Sequence, residues 1–303
     1  MEMMNPNRDK DFLSGFIAII GPPNVGKSTL LNRLLGKKVA IVSPKPQTTR
    51  NRILGIRHGG GYQMVFMDTP GIHRTRTPLH RSMVSSAREA LFEVDMLLIV
   101  IEMPHPEDNS MPLIMEGIKR IEKPVILIIN KIDSGPKERL LSIMDSYSKR
   151  YPFDAIIPVS ALTGDGTDSV IGELRSRLKP GPEFFPRDMT TDLSEAFIIS
   201  EIIREKIFLH TRDELPYSCA VKTEKMEEKP AKGLLSVAAT IYVESESQKA
   251  IVIGQNGKKI NEIGKSSRLE LERMFGVRIY LDLFVRVEKN WSRDTKALRR
   301  LGY

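Results

Sequence analysis

The segment Gly21-Pro22-Pro23-Asn24-Val25-Gly26-Lys27-Ser28 sets two glycines, an ammonium and a hydroxyl at the spacing that suits a polyphosphate. Backbone free of Cβ atoms can wrap phosphate oxygens, Lys27 can reach the β- and γ-phosphates, and Ser28 can offer its hydroxyl to Mg²⁺. Thr29 opens a helical run, Thr29-Leu30-Leu31-Asn32, whose N-terminus favours an anion. A second turn, Asp68-Thr69-Pro70-Gly71, ends the apolar run Met64-Val65-Phe66-Met67. There Asp68 can hold the metal through water and the Gly71 N–H can sense the γ-phosphate. The chemistry implied is transfer of a phosphoryl group from a nucleoside triphosphate.

Base selection is written separately. In Asn130-Lys131-Ile132-Asp133 the Asp133 carboxylate can accept from the N1–H and the exocyclic amine of guanine. Adenine would face that carboxylate with an acceptor, a mismatch that polar sites penalise heavily. Val159-Ser160-Ala161 then closes over the base edge, with the Ala161 N–H aimed at the guanine carbonyl. Between the first two motifs, the breaker-rich loop Ser43-Pro44-Lys45-Pro46-Gln47-Thr48-Thr49-Arg50 carries paired threonines. A hydroxyl here can join Mg²⁺ only while the γ-phosphate is present, so the loop orders with GTP and loosens after hydrolysis.

The elements that must position these groups follow from the apolar runs Phe16–Ile20, Gln63–Met67, Met96–Ile101, Val125–Ile129 and Ile156–Pro158, which alternate with helical patterns. Continuously apolar strands between helices belong to a parallel sheet covered on both faces. The expectation is an α/β P-loop NTPase domain, doubly wound with a mostly parallel sheet, over residues 1–180. Lys179-Pro180-Gly181-Pro182 and Phe184-Phe185-Pro186 break regular structure, so 181–193 reads as a linker. Residues 194–303 read as a small α+β domain in the order α-β-β-α-α-β: a helix over Ser194 to His210, strands over Tyr217 to Lys222 and Leu234 to Val243, a helix–turn–helix about Gly254, and a strand over Val277 to Val287.

At that helical turn Gly254-Gln255-Asn256-Gly257-Lys258-Lys259 places a G-x-x-G ahead of two lysines. Such a loop clamps about four nucleotides of single-stranded RNA. The +8 net charge of the 303-residue chain points to a polyanionic partner, and its distribution is more informative. From Lys249 to Tyr303 there are thirteen Lys or Arg against six Asp or Glu, whereas Gly181 to Gln248 holds eight against thirteen. Trp291 has two readings, stacking on a base or capping a small core. The lone Cys219 reads as a small buried residue in a compartment without disulfides. The polar start, Met1 to Lys10, and the absence of any apolar run of membrane-spanning length imply a cytoplasmic protein, or one in an organelle matrix if a presequence has been removed.

These motifs resemble those of the Era family of GTPases, as do Ser200-Glu201-Ile202-Ile203-Arg204-Glu205-Lys206, Glu214-Leu215-Pro216-Tyr217-Ser218 and the tail from Val287 to Tyr303. The resemblance implies a type II KH domain at the C-terminal end and GTP hydrolysis coupled to small-ribosomal-subunit assembly, with binding near the 3′ end of the small-subunit rRNA. It selects Thr49 as the Mg²⁺ ligand, beside Lys27 and Gly71 at the reacting phosphate. Ile72 stands where Ras-like enzymes carry the Gln that orients water, and Asn24 is where relatives help hold a potassium ion that replaces an arginine finger. Pro22 departs from the Arg often found at its position. Peripheral contact with the inner face of the cell membrane and a monomeric state are further expectations of the resemblance. The competing reading is an RNA-binding adaptor that senses GTP and hardly hydrolyses it.

Overall fold

The computed structural model describes residues 12–43, 45, 48–71, 93–136, 138–211 and 215–303, which form two compact units. Ile72, Pro44, Pro46 and Gln47, named above, lie outside the described residues.

The first unit runs β1 (Leu13–Ile20), α1 (Lys27–Leu35), β2 (Ile53–Gly59), β3 (Tyr62–Asp68), β4 (Met96–Glu102), α2 (Met111–Ile118), β5 (Val125–Asn130), α3 (Glu138–Ser148), β6 (Ala155–Pro158), α4 (Thr167–Arg175) and the short β7 (Lys179–Pro180). The strand order is β2-β3-β1-β4-β5-β6, with β7 antiparallel on β1. Neighbours from β3 to β6 are all parallel, and β2 is an antiparallel edge on β3. Every residue of β5 and all but the last of β4 are buried, because both faces are covered. The sequence reading missed β2, whose half-exposed Ile-Leu-Gly-Ile-Arg-His-Gly pattern carries two glycines and polar residues. A strand paired on one side needs no continuous apolar run.

The expected linker is not free. Gln63, fully buried in β3, accepts from the Phe184 and Phe185 amides at 2.9 and 3.1 Å and donates to the Phe185 carbonyl at 2.7 Å. The Phe16 and Phe184 rings pack at 4.9 Å, and the Ile56 amide donates to the Thr190 carbonyl at 2.8 Å. Residues 181–192 therefore belong to the first unit. Phe184-Phe185 was legible as irregular, but its docking depends on a glutamine 121 positions away.

The second unit runs α5 (Glu195–His210), β8 (Ala220–Lys229), β9 (Leu234–Val243), α6 (Glu246–Ile253), α7 (Lys258–Phe275), β10 (Arg278–Val287) and α8 (Thr295–Arg300), the expected α-β-β-α-α-β order with a final helical turn. β9 pairs antiparallel with β8 and parallel with β10. Alternation places Leu235, Val237, Ala239, Ile241, Ile279 and Leu281 on the core side. The first strand begins later than expected, because Leu215–Ser218 form a 3₁₀ turn. Residues 41–43, 45 and 48 pack in this unit although the sequence reading gave them to the first. Ile41 is buried in its core, the Val42 amide donates to Glu205 at 2.8 Å, and the buried Arg204 bonds the Thr48 carbonyl and Glu201 at 2.5 Å each. Trp291 is fully buried and donates from Nε1 to the Ser218 carbonyl at 3.0 Å, with its ring 5.8 Å from that of Tyr303. It caps the core and is not a base-stacking group. Cys219 is buried, as expected. Among the described residues no helix is long and apolar enough to cross a membrane.

Candidate nucleotide site and nucleic-acid interface

Because β1, β3, β5 and β6 run parallel, their C-terminal ends open on one edge of the sheet. That edge receives the loop after Ile20, Asp68 at the end of β3, Asn130 at the end of β5, and Ser160 just past β6. Open α/β sheets bind ligands along this edge. The loop 21–26 turns into α1 with Asn24 and Gly26 at φ 64° and 92°. Gly26 caps α1 without a side-chain hydrogen bond and the first turn holds no acid, so its amides and dipole serve an anion. Thr29 lies in that first turn. Lys27, 6% exposed, donates from Nζ to the Gly21 and Pro22 carbonyls at 3.1 and 2.7 Å. Burial lowers its pKa to about 8, against the opposing pull of Asp68 and Asp108.

Ser28 Oγ donates to Asp68 Oδ2 at 2.6 Å and lies 2.8 Å from the Thr49 hydroxyl, which is itself 3.4 Å from the same carboxylate oxygen. The other oxygen, Oδ1, is buried with no hydrogen-bond partner among the described residues. Burial pushes the Asp68 carboxyl upward, against the Lys27 charge and the Ser28 and Thr49 hydrogen bonds. Two hydroxyls and a carboxylate with an orphaned oxygen fit a hard cation, and oxygen donors are what Mg²⁺ takes. Among the described residues no three His, Cys, Asp or Glu cluster as a metal cage. Mg²⁺ is ordinarily held by one or two protein groups together with substrate phosphates. Thr69 Oγ1 donates to the Ile19 carbonyl at 2.9 Å, pinning the turn Asp68-Thr69-Pro70-Gly71 to β1. A Cβ on Gly71 would lie 2.9 Å from the Pro23 nitrogen, so only glycine lets the turn approach the phosphate loop this closely.

The base side is tied to the phosphate side by Asn130, 1% exposed. Its Nδ2 donates to the Val25 carbonyl at 2.7 Å and its Oδ1 accepts from the Ala161 amide at 2.9 Å. The Ala161 donor, aimed at the guanine carbonyl in the sequence reading, is therefore directed at Asn130 in this structure, and reaching the base requires sharing it. Lys131, at φ 61°, donates to the Asn24 carbonyl at 2.7 Å and pairs with Glu102. Asp133 is exposed, and the Ser160 hydroxyl holds its carboxyl below the usual range. Arg33 on α1 bonds the Ala161 carbonyl at 3.2 Å and the Leu162 carbonyl, fixing the loop over the base. The sequence reading missed Arg33 and Glu102, which no motif singles out.

In the second unit Gly254, Asn256 and Gly257 all have positive φ, at 70°, 51° and 73°. A Cβ at Gly254 would sit 2.6 Å from Lys259 Cβ, so the turn needs glycine. Gly257 caps the 18-residue α7 with no side-chain hydrogen bond and no acid in the first turn, whereas Ser194, Ser245 and Asp294 cap α5, α6 and α8 with their side chains. An uncapped start followed by Lys258 and Lys259 suits a backbone phosphate. Gln255 and Asn256 stand exposed at the tip. Behind the loop, α7 and the β10 edge bound a groove of about 460 Å³, lined among others by Asn261, Gly264, Lys265 and Arg268 on one wall and Tyr280 and Asp282 on the other. None of these was legible in the sequence, because the groove exists only where β10 lies beside α7.

These two sites and folds define a P-loop GTPase joined to a KH domain. Family models agree: residues 16–131 match a 50S ribosome-binding GTPase and residues 214–292 a KH domain. The chain is 50% identical over 295 residues to GTPase Era of Geotalea uraniireducens, covering 97% of this chain and 99% of that one, and 52% identical to GTPase Era of Syntrophus aciditrophicus, covering 96% and 95%. Two crystal structures, one of an Aquifex aeolicus Era variant bound to GDP·AlF4⁻ and one of Era with MgGDPNP and nucleotides 1506–1542 of 16S ribosomal RNA, each superpose with a TM-score of 0.93 at 41% identity, covering 96% of this chain and 99% of theirs. The chain belongs to the Era family of GTPases.

Proposed function

We propose that this GTPase couples its nucleotide cycle to binding of the 3′ end of small-subunit rRNA during assembly of the small ribosomal subunit. The observation that carries the reading is the pairing of one complete guanine-nucleotide site with a G-x-x-G turn whose following helix is left uncapped toward an anion. The Era relative of known structure that holds MgGDPNP also holds nucleotides of 16S rRNA. In hydrolysis, water attacks the γ-phosphate in line while Lys27 and the amides of residues 21–28 stabilise the developing charge. Mg²⁺, held through Ser28, Thr49 and Asp68, neutralises charge on the β- and γ-oxygens when bound. The Gly71 amide senses the γ-phosphate, and no side chain is needed as a general base. Thr49 follows directly on Thr48, which packs with the RNA-binding unit, so ordering of Thr49 by GTP acts on a chain continuous with that unit.

The Lys258→Ala/Lys259→Ala variant tests the RNA reading. Affinity for a single strand from the 16S 3′ end should fall about tenfold or more, and the slope of log K against log salt should shrink by about 0.7 for every phosphate no longer neutralised. Unchanged affinity and slope sink the reading; GTP hydrolysis serves as the folding control. A crosslinking pattern on that RNA that is the same with GTP and GDP would break the proposed coupling.

Potassium is tested separately. With Asn24 as a ligand, single-turnover hydrolysis should run about tenfold or more faster in KCl than in NaCl at equal ionic strength, and Asn24→Ala should abolish the difference. Equal rates in both salts remove the potassium role. Hydrolysis in neither salt favours the nucleotide-sensing adaptor.

A further inference from the structure

The sheet of the second unit has a face turned away from its core, and that face carries aromatic rings. On β10 the outward positions are Arg278, Tyr280, Asp282, Phe284 and Arg286, alternating with Ile279, Leu281, Leu283 and Val285 on the core side. Tyr280 is 59% and Phe284 54% exposed, although burial of such rings is worth a large hydrophobic gain. The parallel register sets Tyr280 beside Ser236, Asp282 beside Ala238, and Phe284 beside Thr240. These small neighbours leave both rings open to solvent.

The charges on this face also point to a ligand. Lys222 and Lys225 are neutralised by Glu224 and Glu227 at 3.3 and 2.9 Å. Among the described residues, neither Arg278 nor Arg286 forms an ion pair, and both flank the aromatic pair. Rings interleaved with uncompensated cations suit single-stranded nucleic acid, whose bases stack on aromatic faces while its phosphates seek Arg. Protein interfaces are depleted in Ser and Ala, and this stretch of β9 offers Ser236, Ala238 and Thr240 beside the rings. The face is continuous with the groove, since Tyr280 and Asp282 also line it.

We infer that the outward face of β10, with Tyr280 and Phe284 between Arg278 and Arg286, is a second RNA-binding surface on which single-stranded RNA leaving the groove stacks its bases. The inference rests on the groove as an RNA site. At about 3.3 Å per residue the two rings lie roughly 13 Å apart along the strand, so each takes a different base. Asp282 repels phosphate but accepts from a base amine, which places bases, not backbone, at the middle of the face.

Phe284→Ser is the cleaner probe, because Tyr280 also faces the groove. Fluorescence anisotropy with a single strand of about ten nucleotides from the 16S rRNA 3′ end, and with a fragment of about four that fills the groove alone, separates the two surfaces. Phe284→Ser should weaken the longer RNA about tenfold and leave the short one unchanged, whereas Lys258→Ala/Lys259→Ala weakens both. Arg278→Gln/Arg286→Gln should lower the salt slope for the longer RNA by about 1.4, from about 0.7 for each single-strand phosphate neutralised. Unchanged binding of the longer RNA by Phe284→Ser and by the double Arg variant, in proteins whose melting temperature is unaltered, overturns the second surface and leaves the groove standing. Wild-type protein that binds neither RNA overturns both.

Discussion

Replacing Asp133 by Asn is expected to move nucleotide preference from guanine to xanthine. The Asp133 carboxylate is an acceptor for two base protons, N1–H and the exocyclic amine, and the Ser160 hydroxyl holds its carboxyl below the usual range. Asparagine presents one acceptor and one donor; xanthine keeps N1–H but carries a carbonyl in place of the amine, so the pairing is restored. With GTP the variant loses a charge-assisted hydrogen bond and sets donor against donor. At about 1.5–3 kcal/mol for a bond to a charged group and a similar cost for the mismatch, GTP affinity should fall about 10²- to 10⁴-fold while XTP affinity rises. Asp133 is exposed, so the fold should be indifferent to the change. Competition between the two nucleotides for a fluorescent GDP analogue checks the prediction, and an unaltered GTP affinity would remove Asp133 from base recognition.

Lys27→Ala should reduce single-turnover hydrolysis by about 10²- to 10³-fold, the usual loss when one preorganised donor to a developing oxyanion is removed. The same residue predicts a pH effect. Burial lowers Lys27 to about 8 in the free protein, so the ammonium is partly lost above that pH, while the γ-phosphate demands the cation. Binding of GTP must then take up a proton, and the apparent Kd should rise toward tenfold per pH unit between about pH 8 and 10, with little change below. The guanine N1 proton is lost in the same alkaline region and affects every variant alike. The informative quantity is therefore the difference between wild type and Lys27→Ala, which should grow smaller as pH rises. A constant difference from pH 7 to 9.5 would mean that Lys27 keeps its proton without the phosphate.

Much of the nucleotide site is local and was legible for that reason. The run 21–28 carries its own glycines, lysine and serine; Asp68-Thr69-Pro70-Gly71 and Asn130-Lys131-Ile132-Asp133 each pack a complete chemical task into four residues at a strand end. The G-x-x-G turn is local too, and the positive φ at Gly254, Asn256 and Gly257 is a property of those few residues. Alternation and apolar runs were enough for the order of both domains, because they record which faces are buried. β2 escaped because an edge strand with glycines leaves no such record.

What the sequence alone determined, then, is the set of chemical groups, their attachment to strand ends, and the choice of guanine. The tertiary structure decided which groups meet. Parallel pairing of β1 with β3 and β4, and of β5 with β4 and β6, brings Ser28, Thr49 and Asp68 within hydrogen-bonding distance and lets Asn130 join Val25 to Ala161 across 105 and 31 positions. It also decided that Trp291 caps a core, that Ile41, Val42 and Thr48 pack with the second unit, and that α7 and β10 enclose a groove with Phe284 outside it. Each of these depends on strand register and helix packing between distant segments, where a side chain's neighbours are set by the three-dimensional path of the chain and not by its spacing along it.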